Sequence, residues 1–400
     1  MITLTENADN ADNPVLRRLI AAEIAQTGGR IPFARFMELA LYAPEEGYYT
    51  SRVGLIGAKG DFYTAPHLTP AFGQLIARQL AEFWRRLGEP PKFQLVEMGA
   101  GQGLLASDIL THFYQQEKEL WPGLSYTIVE RSKSLQEGQR RRLLAVPDGA
   151  TLLPKVSWRD LDEFEPGSVV GGCFSNELVD AFPVHLIQLV EGEWREVYVG
   201  LNPAGDFEEE TGPLSTSSLA TYFEAAHLDP TRYEEGYRTE INLAALDWMQ
   251  QVAQVIAQGY ILTIDYGYQA ERRYHPRRQT GTLQTYNGHT VGDNPYLNVG
   301  HQDITAHIDF TALIKQGEAA GLKTEGFTTQ MAFLGGLGIA NLLLELSTST
   351  KRPPKEVMAE YNALQRLINP TAMGNFGVLI QSKGVAAATA PLAGLSLSFI

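Results

Sequence analysis

The chain has 400 residues, 44% of them hydrophobic and 20% charged, with a formal net charge of -14. That composition supplies a large core and lacks the low-hydrophobicity, high-charge signature of disorder, while the length calls for one domain with large insertions or for two domains. The acidic surplus excludes a groove built to neutralise nucleic-acid phosphates, which needs a basic face. Cys173 is the only cysteine, so no intrachain disulfide forms and a reducing compartment is expected. The opening "MITLTENADNADNP" has neither an apolar h-region nor an arginine-rich amphipathic stretch. No apolar run reaches the roughly 18 residues that span a bilayer. Together these predict a soluble, cytosolic (cytoplasmic) protein with no membrane insertion.

In chain order, Asn13 followed by Pro14 reads as a cap and first helical position, and "VLRRLIAAEIAQTGG" carries helical periodicity until Gly28 and Gly29 stop it. A short helix follows in "IPFARFMELALY", then a glycine- and aromatic-rich loop ending in "GDFYTAPHL", long enough to serve as a lid. Thr69-Pro70 opens the clearest helix, with Phe72, Leu75, Ile76, Leu80, Phe83, Trp84 and Leu87 on one stripe. From Phe93 onward short apolar runs alternate with helical ones: "FQLVEM", "SYTIVER", "SVVGGCFSNE" and, much later, "GYILTIDYG". Strands alternating with helices predict an α/β fold with a mostly parallel sheet, whose ligands bind at the carboxyl ends of the strands. "VHLIQLVEGEWREVYVGLNPAGDF" reads as antiparallel hairpins interrupting that alternation. The expected organisation is N-terminal helices and lid over residues 1–90, a core from 91–183 and 259–337, a hairpin and helix insertion over 184–258, and an extension over 338–400.

"LVEMGAGQGLL" places Gly99, Gly101 and Gly103 directly after a strand-like run and before a helical one. Bare backbone at a helix N-terminus suits a ligand held against the main chain. A dinucleotide fingerprint needs glycine at position 104, where this chain has Leu104, and does not usually carry an acid such as Glu97 just before the first glycine.

The pattern E-x-G-x-G-x-G resembles motif I of class I S-adenosylmethionine methyltransferases. The resemblance implies that Glu97 organises the loop, that Gly99, Gly101 and Gly103 approach the methionine moiety, and that Glu130 in "YTIVERS" accepts from both ribose hydroxyls. It makes Asp160 in "WRDLDEF" the candidate contact to the adenine amino group. Beyond these, "FMELALYAPEEGYYT", "GDFYTAP", "IVERS", "SNELVDAFPV", "LTIDYG", "GTLQTY" and "DITAHIDF" together resemble the MidA-like family, over about Ile31 to Leu337. That resemblance implies a class I methyltransferase-like, Rossmann-like fold and S-adenosyl-L-methionine as cofactor. It also implies a protein substrate, arginine methylation, and a role in respiratory complex I assembly like that of the family's mitochondrial member. Gln284 departs from the basic residue expected after "GTL", which bears on the choice of substrate.

Methyl transfer from a sulfonium is an in-line displacement in which the protein chiefly positions the nucleophile, an effect worth on the order of 7–11 kcal/mol. A guanidinium acceptor stays protonated below pH about 12 and calls for carboxylates that hold it bidentately. Glu177 and Asp180, just past the fourth strand, are the expected substrate clamps, with Asp265 in "IDYG" as the runner-up; Asn176 is placed with the cofactor contacts. Tyr63 in the lid loop is expected over the cofactor. His301, Asp303 and His307 lack the spacing of a zinc site, so no metal is expected. Three alternatives remain: a small-molecule N- or O-methyltransferase, a non-catalytic assembly chaperone on the same fold, and a nicotinamide-dependent oxidoreductase.

Overall fold

The computed structural model describes residues 12–51, 64–288, 290–348 and 352–397. Its chain divides into two compact units. One comprises Tyr63–Leu178, Trp248–Gly267 and Leu313–Ile400, and it carries the alternating pattern. Its first long helix, α1 (Pro70–Arg86), starts where Thr69 Oγ1 accepts from Ala71 N at 3.2 Å, and it buries the predicted stripe from Phe72 to Trp84. After it come β1 (Phe93–Met98), α2 (Leu104–Gln116), β2 (Leu124–Val129), α3 (Lys133–Ala145), β3 (Val156–Arg159) and β4 (Val169–Asn176). The sheet is completed by β5 (Ile256–Asp265), β6 (Lys323–Thr329) and β7 (Gly377–Lys383).

The seven strands lie in the order β6-β7-β5-β4-β1-β2-β3. Strands β1 to β5 run parallel, and β7 is antiparallel to both β5 and β6. The chain grows from β1 toward β3 on one side and from β4 toward β5 on the other, so the switch point falls between β1 and β4. One face packs on α1 and α2 through Leu80, Phe83, Leu95, Ile109, Phe174 and Leu262. The Phe83 and Tyr260 rings stack there at 4.2 Å. Cys173 is buried in β4, and burial pushes its thiol up to about 12, which leaves it a packing group.

The other unit comprises Met1–Phe62, Val179–Asp247 and Tyr268–Ala312. The predicted hairpin forms from His185–Val190 and Glu193–Leu201, extended by Arg30–Pro32, Phe207–Gly212 and Arg238–Ile241 into an antiparallel five-stranded sheet. The helices Pro14–Gln26 and Phe33–Tyr42 bury Leu16, Ile20, Phe33, Phe36 and Met37 with Val197 and Val199 of that sheet. A three-stranded sheet runs Thr290–Gly292, Gln284–Asn287, Asp303–Thr305.

The units cut across the expected boundaries in several places: residues 268–312, expected in the core, belong to the antiparallel unit, and residues 248–258, expected in the insertion, belong to the unit of the parallel sheet. α1 groups with the parallel sheet and not with the N-terminal helices. The segment expected as an extension after residue 337 supplies β7 and the buried Leu364 and Leu367 to the core. The run "FGVLIQSK" is a strand fed by a long excursion, so it carries no alternation signal of its own. Among the described residues, no single helix is long and apolar enough to cross a membrane.

Candidate active site

The glycine loop leaves β1 at the switch point. Gly99, Gly101 and Gly103 have φ of 74°, 51° and 76°, the left-handed region that disfavours a β-carbon. Two of them are also hemmed in by the protein. A Cβ on Gly99 would lie 2.8 Å from Leu178 Cδ1, and one on Gly103 would lie 3.2 Å from Gln139 Cγ. Gly103 caps α2, and its carbonyl accepts from Ser107 N at 3.1 Å. The N–H groups of the first turn of α2 therefore open toward the end of β1 with their partial positive charge.

Glu97 stands inside β1, 2% exposed, and its Oε2 accepts from Tyr126 Oη at 2.7 Å. Burial raises its carboxyl to about 7 against the lowering effect of that hydrogen bond, and Asp108 on α2 adds to the rise. Asp108 is itself pushed up to about 7 by burial. Glu97 thus anchors β1 to β2 beneath the loop.

Glu130 follows β2 directly. Its Oε1 accepts from Ser132 N at 2.9 Å and its Oε2 lies 3.5 Å from Gln139 Nε2. Burial raises its pKa, and the Ser132 and Gln139 donors pull it back. Asp160 comes one strand further, after β3; it heads the turn Leu161–Glu163, whose Glu163 Oε2 accepts from Asp160 N at 2.9 Å. Its charge reaches Glu130. The ends of β1, β2 and β3 therefore carry the glycines, Glu130 and Asp160 in that order.

Gln139 was not singled out in the sequence, although it occupies a fully buried position on α3. Its Nε2 donates to Gly101 O at 2.9 Å, and its Oε1 accepts from Trp158 Nε1 at 2.7 Å. One amide ties the glycine loop, the Glu130 side chain and β3 together. The signal that could have found it is the run Leu135, Gln139, Leu143: a polar residue on an apolar stripe with helical spacing.

At the end of β4, Asn176 Nδ2 donates to Glu177 Oε1 at 3.0 Å, and Ala65 N donates to the same oxygen at 3.1 Å. Asn176 Oδ1 is buried and has no hydrogen-bond partner among the described residues. Glu177 has φ of 51°, a conformation costing a non-glycine residue about 1–2 kcal/mol. Asp265 ends β5 fully buried; its Oδ2 accepts from Leu178 N at 3.2 Å and its Oδ1 from Tyr266 N at 2.8 Å. Asp265 therefore pins the turn after Asn176, and Leu178 in that turn covers Gly99. Asp180 belongs to the other unit, 6% exposed in the turn Val179–Ala181, its carbonyl accepting from Ala306 N at 3.0 Å. Gln284 lies in that unit too, with its Oε1 accepting from Tyr286 Oη at 2.8 Å. Tyr63 lies outside the described residues, as does most of the lid loop.

The residues fit an adenosyl cofactor. Glu130 is a pure acceptor at the end of the neighbouring strand, suited to a pair of hydroxyls. The buried Asn176 Oδ1 is an acceptor without a donor among the described residues, a group for which a ligand N–H or O–H is a natural partner.

The comparisons agree with this geometry. Residues 75–328, more than half the chain, match a family model described as "Putative S-adenosyl-L-methionine-dependent methyltransferase". The chain is 32% identical to the mouse protein arginine methyltransferase NDUFAF7, mitochondrial, over 91% of this chain and 83% of that one. To the human protein of that name it is 31% identical, over 94% and 85%. A crystal structure of a Burkholderia thailandensis protein bound to S-adenosyl-homocysteine superposes with a TM-score of 0.86 at 33% identity, covering 99% of this chain and 98% of that one. One expectation is corrected: the cytosolic location is overturned by relatives named as mitochondrial. The single buried cysteine argues for reducing conditions, and that alone does not distinguish one reducing compartment from another. Fold, strand-end acids and family model converge, and the chain belongs to the S-adenosyl-L-methionine-dependent methyltransferases.

Proposed function

We propose that this methyltransferase methylates the side chain of an arginine in a protein substrate. The observation that carries the cofactor half is the sequence of glycines, Glu130 and Asp160 along the ends of three adjacent parallel strands, locked together by Gln139. The acceptor half is supported by the names of the relatives, which are protein arginine methyltransferases. The family resemblance makes a respiratory-complex subunit the first acceptor to test.

When bound, the sulfonium supplies an activated methyl group and needs no metal. Glu130 holds the ribose hydroxyls and Asp160 the adenine amino group. The backbone from Gly99 to Gly103 leaves room for the methionine part, and Asn176 Oδ1 takes up a cofactor donor. Asp265 is a positioning residue: with both oxygens on backbone N–H groups, it sets the height of Leu178 over Gly99. Glu177 at the end of β4 and, in the other unit, Asp180 each offer a carboxylate of the kind a guanidinium favours.

Incubation of the purified protein with methyl-labelled S-adenosylmethionine and mitochondrial extract, followed by acid hydrolysis, tests the reading. Labelled methylarginine is the expected product. Label in lysine, in small molecules, or nowhere refutes it.

A further inference from the structure

The stretch "YQAERRYHPRRQT", Tyr268 to Thr280, carries four arginines and one glutamate in a chain whose net charge is -14. It lies wholly within the antiparallel unit. One of the four is already matched: Arg273 is buried and pairs with Glu240, whose oxygens also accept from Thr282 N at 2.9 and 3.1 Å and from Leu283 N at 3.1 Å. That carboxylate has nothing left for a second guanidinium. Arg272, Arg277 and Arg278 form no ion pair with an acid among the described residues.

Arg272 and Arg278 converge on one ring: their Cζ atoms lie over Tyr268, 4.2 and 5.1 Å from its centroid. Two like charges set within a Debye length, about 10 Å in 0.1 M salt, repel with little screening. Stacking engages the face of a guanidinium and leaves its N–H edge in the plane, the edge that grips a carboxylate. A second observation comes from Arg278, whose Nε is buried without a hydrogen-bond partner among the described residues. Its charge is partly withdrawn from water with no acceptor on that nitrogen and no acid beside it, a state that a bound anion relieves. The positive field is felt next door. His307, whose ring lies 5.3 Å from that of Tyr268, is pushed down to about 4 by burial first and then by the charges of Arg273, Arg278 and, less, Arg272, against Glu240.

We propose that Arg272 and Arg278, held on Tyr268, form an anion-binding site for acidic side chains of a polypeptide, a contact to Asp or Glu residues of the protein substrate. The choice of a polypeptide rests on the reading that the methyl acceptor is a protein. Charge complementarity selects the occupant: two guanidiniums match one or two carboxylates, whereas a chain with this acidic surplus repels an extended polyanion such as nucleic acid. The ring holds both side chains in place before the ligand arrives, which lowers the ordering cost of binding.

The test measures binding apart from methyl transfer. Saturation-transfer NMR of the full chain at low salt compares N-acetyl-triglutamate amide with N-acetyl-triglutamine amide, with inorganic phosphate as competitor; calorimetry with S-adenosyl-homocysteine reports whether each variant keeps its fold and cofactor seat. The wild type is expected to bind the glutamate peptide saturably and at least about tenfold more tightly than the glutamine peptide, against the opposing net charge. Arg272 is exposed, so Arg272→Gln does not endanger folding and should lose about three- to tenfold in that affinity. Arg272→Lys keeps the charge without the planar fork and should lose about two- to threefold. The double variant Arg272→Gln/Arg278→Gln should abolish the preference, and all three should hold S-adenosyl-homocysteine within about twofold of wild type. Equal binding of the two peptides by the wild type, or an undiminished preference in Arg272→Gln, overturns the site; phosphate binding more tightly than the glutamate peptide overturns the choice of a carboxylate. Methylarginine formed in a protein while the wild type shows no glutamate preference sinks this site and spares the acceptor reading. A glutamate preference with no labelled protein does the reverse.

Discussion

Glu97→Gln tests whether a carboxylate is carried at a cost beneath the glycine loop. Glu97 is 2% exposed, and burial lifts its carboxyl from 4.5 to about 7. The folded protein therefore binds that proton more tightly than the unfolded chain does. Stability associated with the site is fully present below about pH 4.5 and is lost as the pH rises toward 7. At roughly 1.4 kcal/mol per pH unit, the interval corresponds to about 3 kcal/mol. Glutamine stays neutral at every pH and keeps an oxygen for Tyr126 Oη, but its new N–H groups add a cost that does not vary with pH. The informative quantity is thus the slope: urea unfolding at pH 5, 6, 7 and 8 should show the variant gaining on the wild type by about 2–3 kcal/mol, with most of the gain before pH 7.5. Asp108, also raised to about 7, is common to both proteins, so its own titration largely cancels. A stability difference that stays flat across this range would refute the account of Glu97 as a buried acid held against its solvation.

Glu130→Ala should weaken S-adenosyl-homocysteine binding by roughly 10- to 100-fold in calorimetry, because two hydrogen bonds to a charged acceptor are lost; an unchanged affinity would remove Glu130 from the cofactor site. Gln139→Leu leaves Gly101 O and Trp158 Nε1 without their partner, so a loss of about 1–3 kcal/mol in unfolding free energy is expected. The same variant should bind the cofactor product more weakly, which a purely local packing role does not predict. Asp265→Asn keeps one acceptor for two backbone N–H groups and should lower stability by about 1–3 kcal/mol. Its effect on kcat should then exceed that on KM for S-adenosylmethionine if the turn at Leu178 serves positioning.

Much of the arrangement at the strand ends was legible in the chain. A glycine loop between a strand and a helix, an acid closing the next strand and a further acid after the third are local features, each set by a few neighbouring residues. They map onto successive parallel strands because βαβ connections are short and single-handed. The stripe of α1 and the hairpin at His185–Leu201 were legible for the same reason, since periodicity of 3.6 or 2 is a local code. Gln139 was not, because a glutamine on a charged helix looks solvated until the loop it serves packs on it.

The amino-acid sequence alone determined the order of strands and helices, the bare turn after β1 and the class of cofactor, since all of these are written in contiguous residues. Tertiary structure alone decided that Gly377–Lys383 enters the sheet beside β5 and that Asp265 spends its carboxylate on backbone donors. It alone brought Tyr49 to Asp303 across 254 residues. Contacts of that separation depend on which buried polar groups find partners once the chain is closed, a global condition that no window of sequence contains.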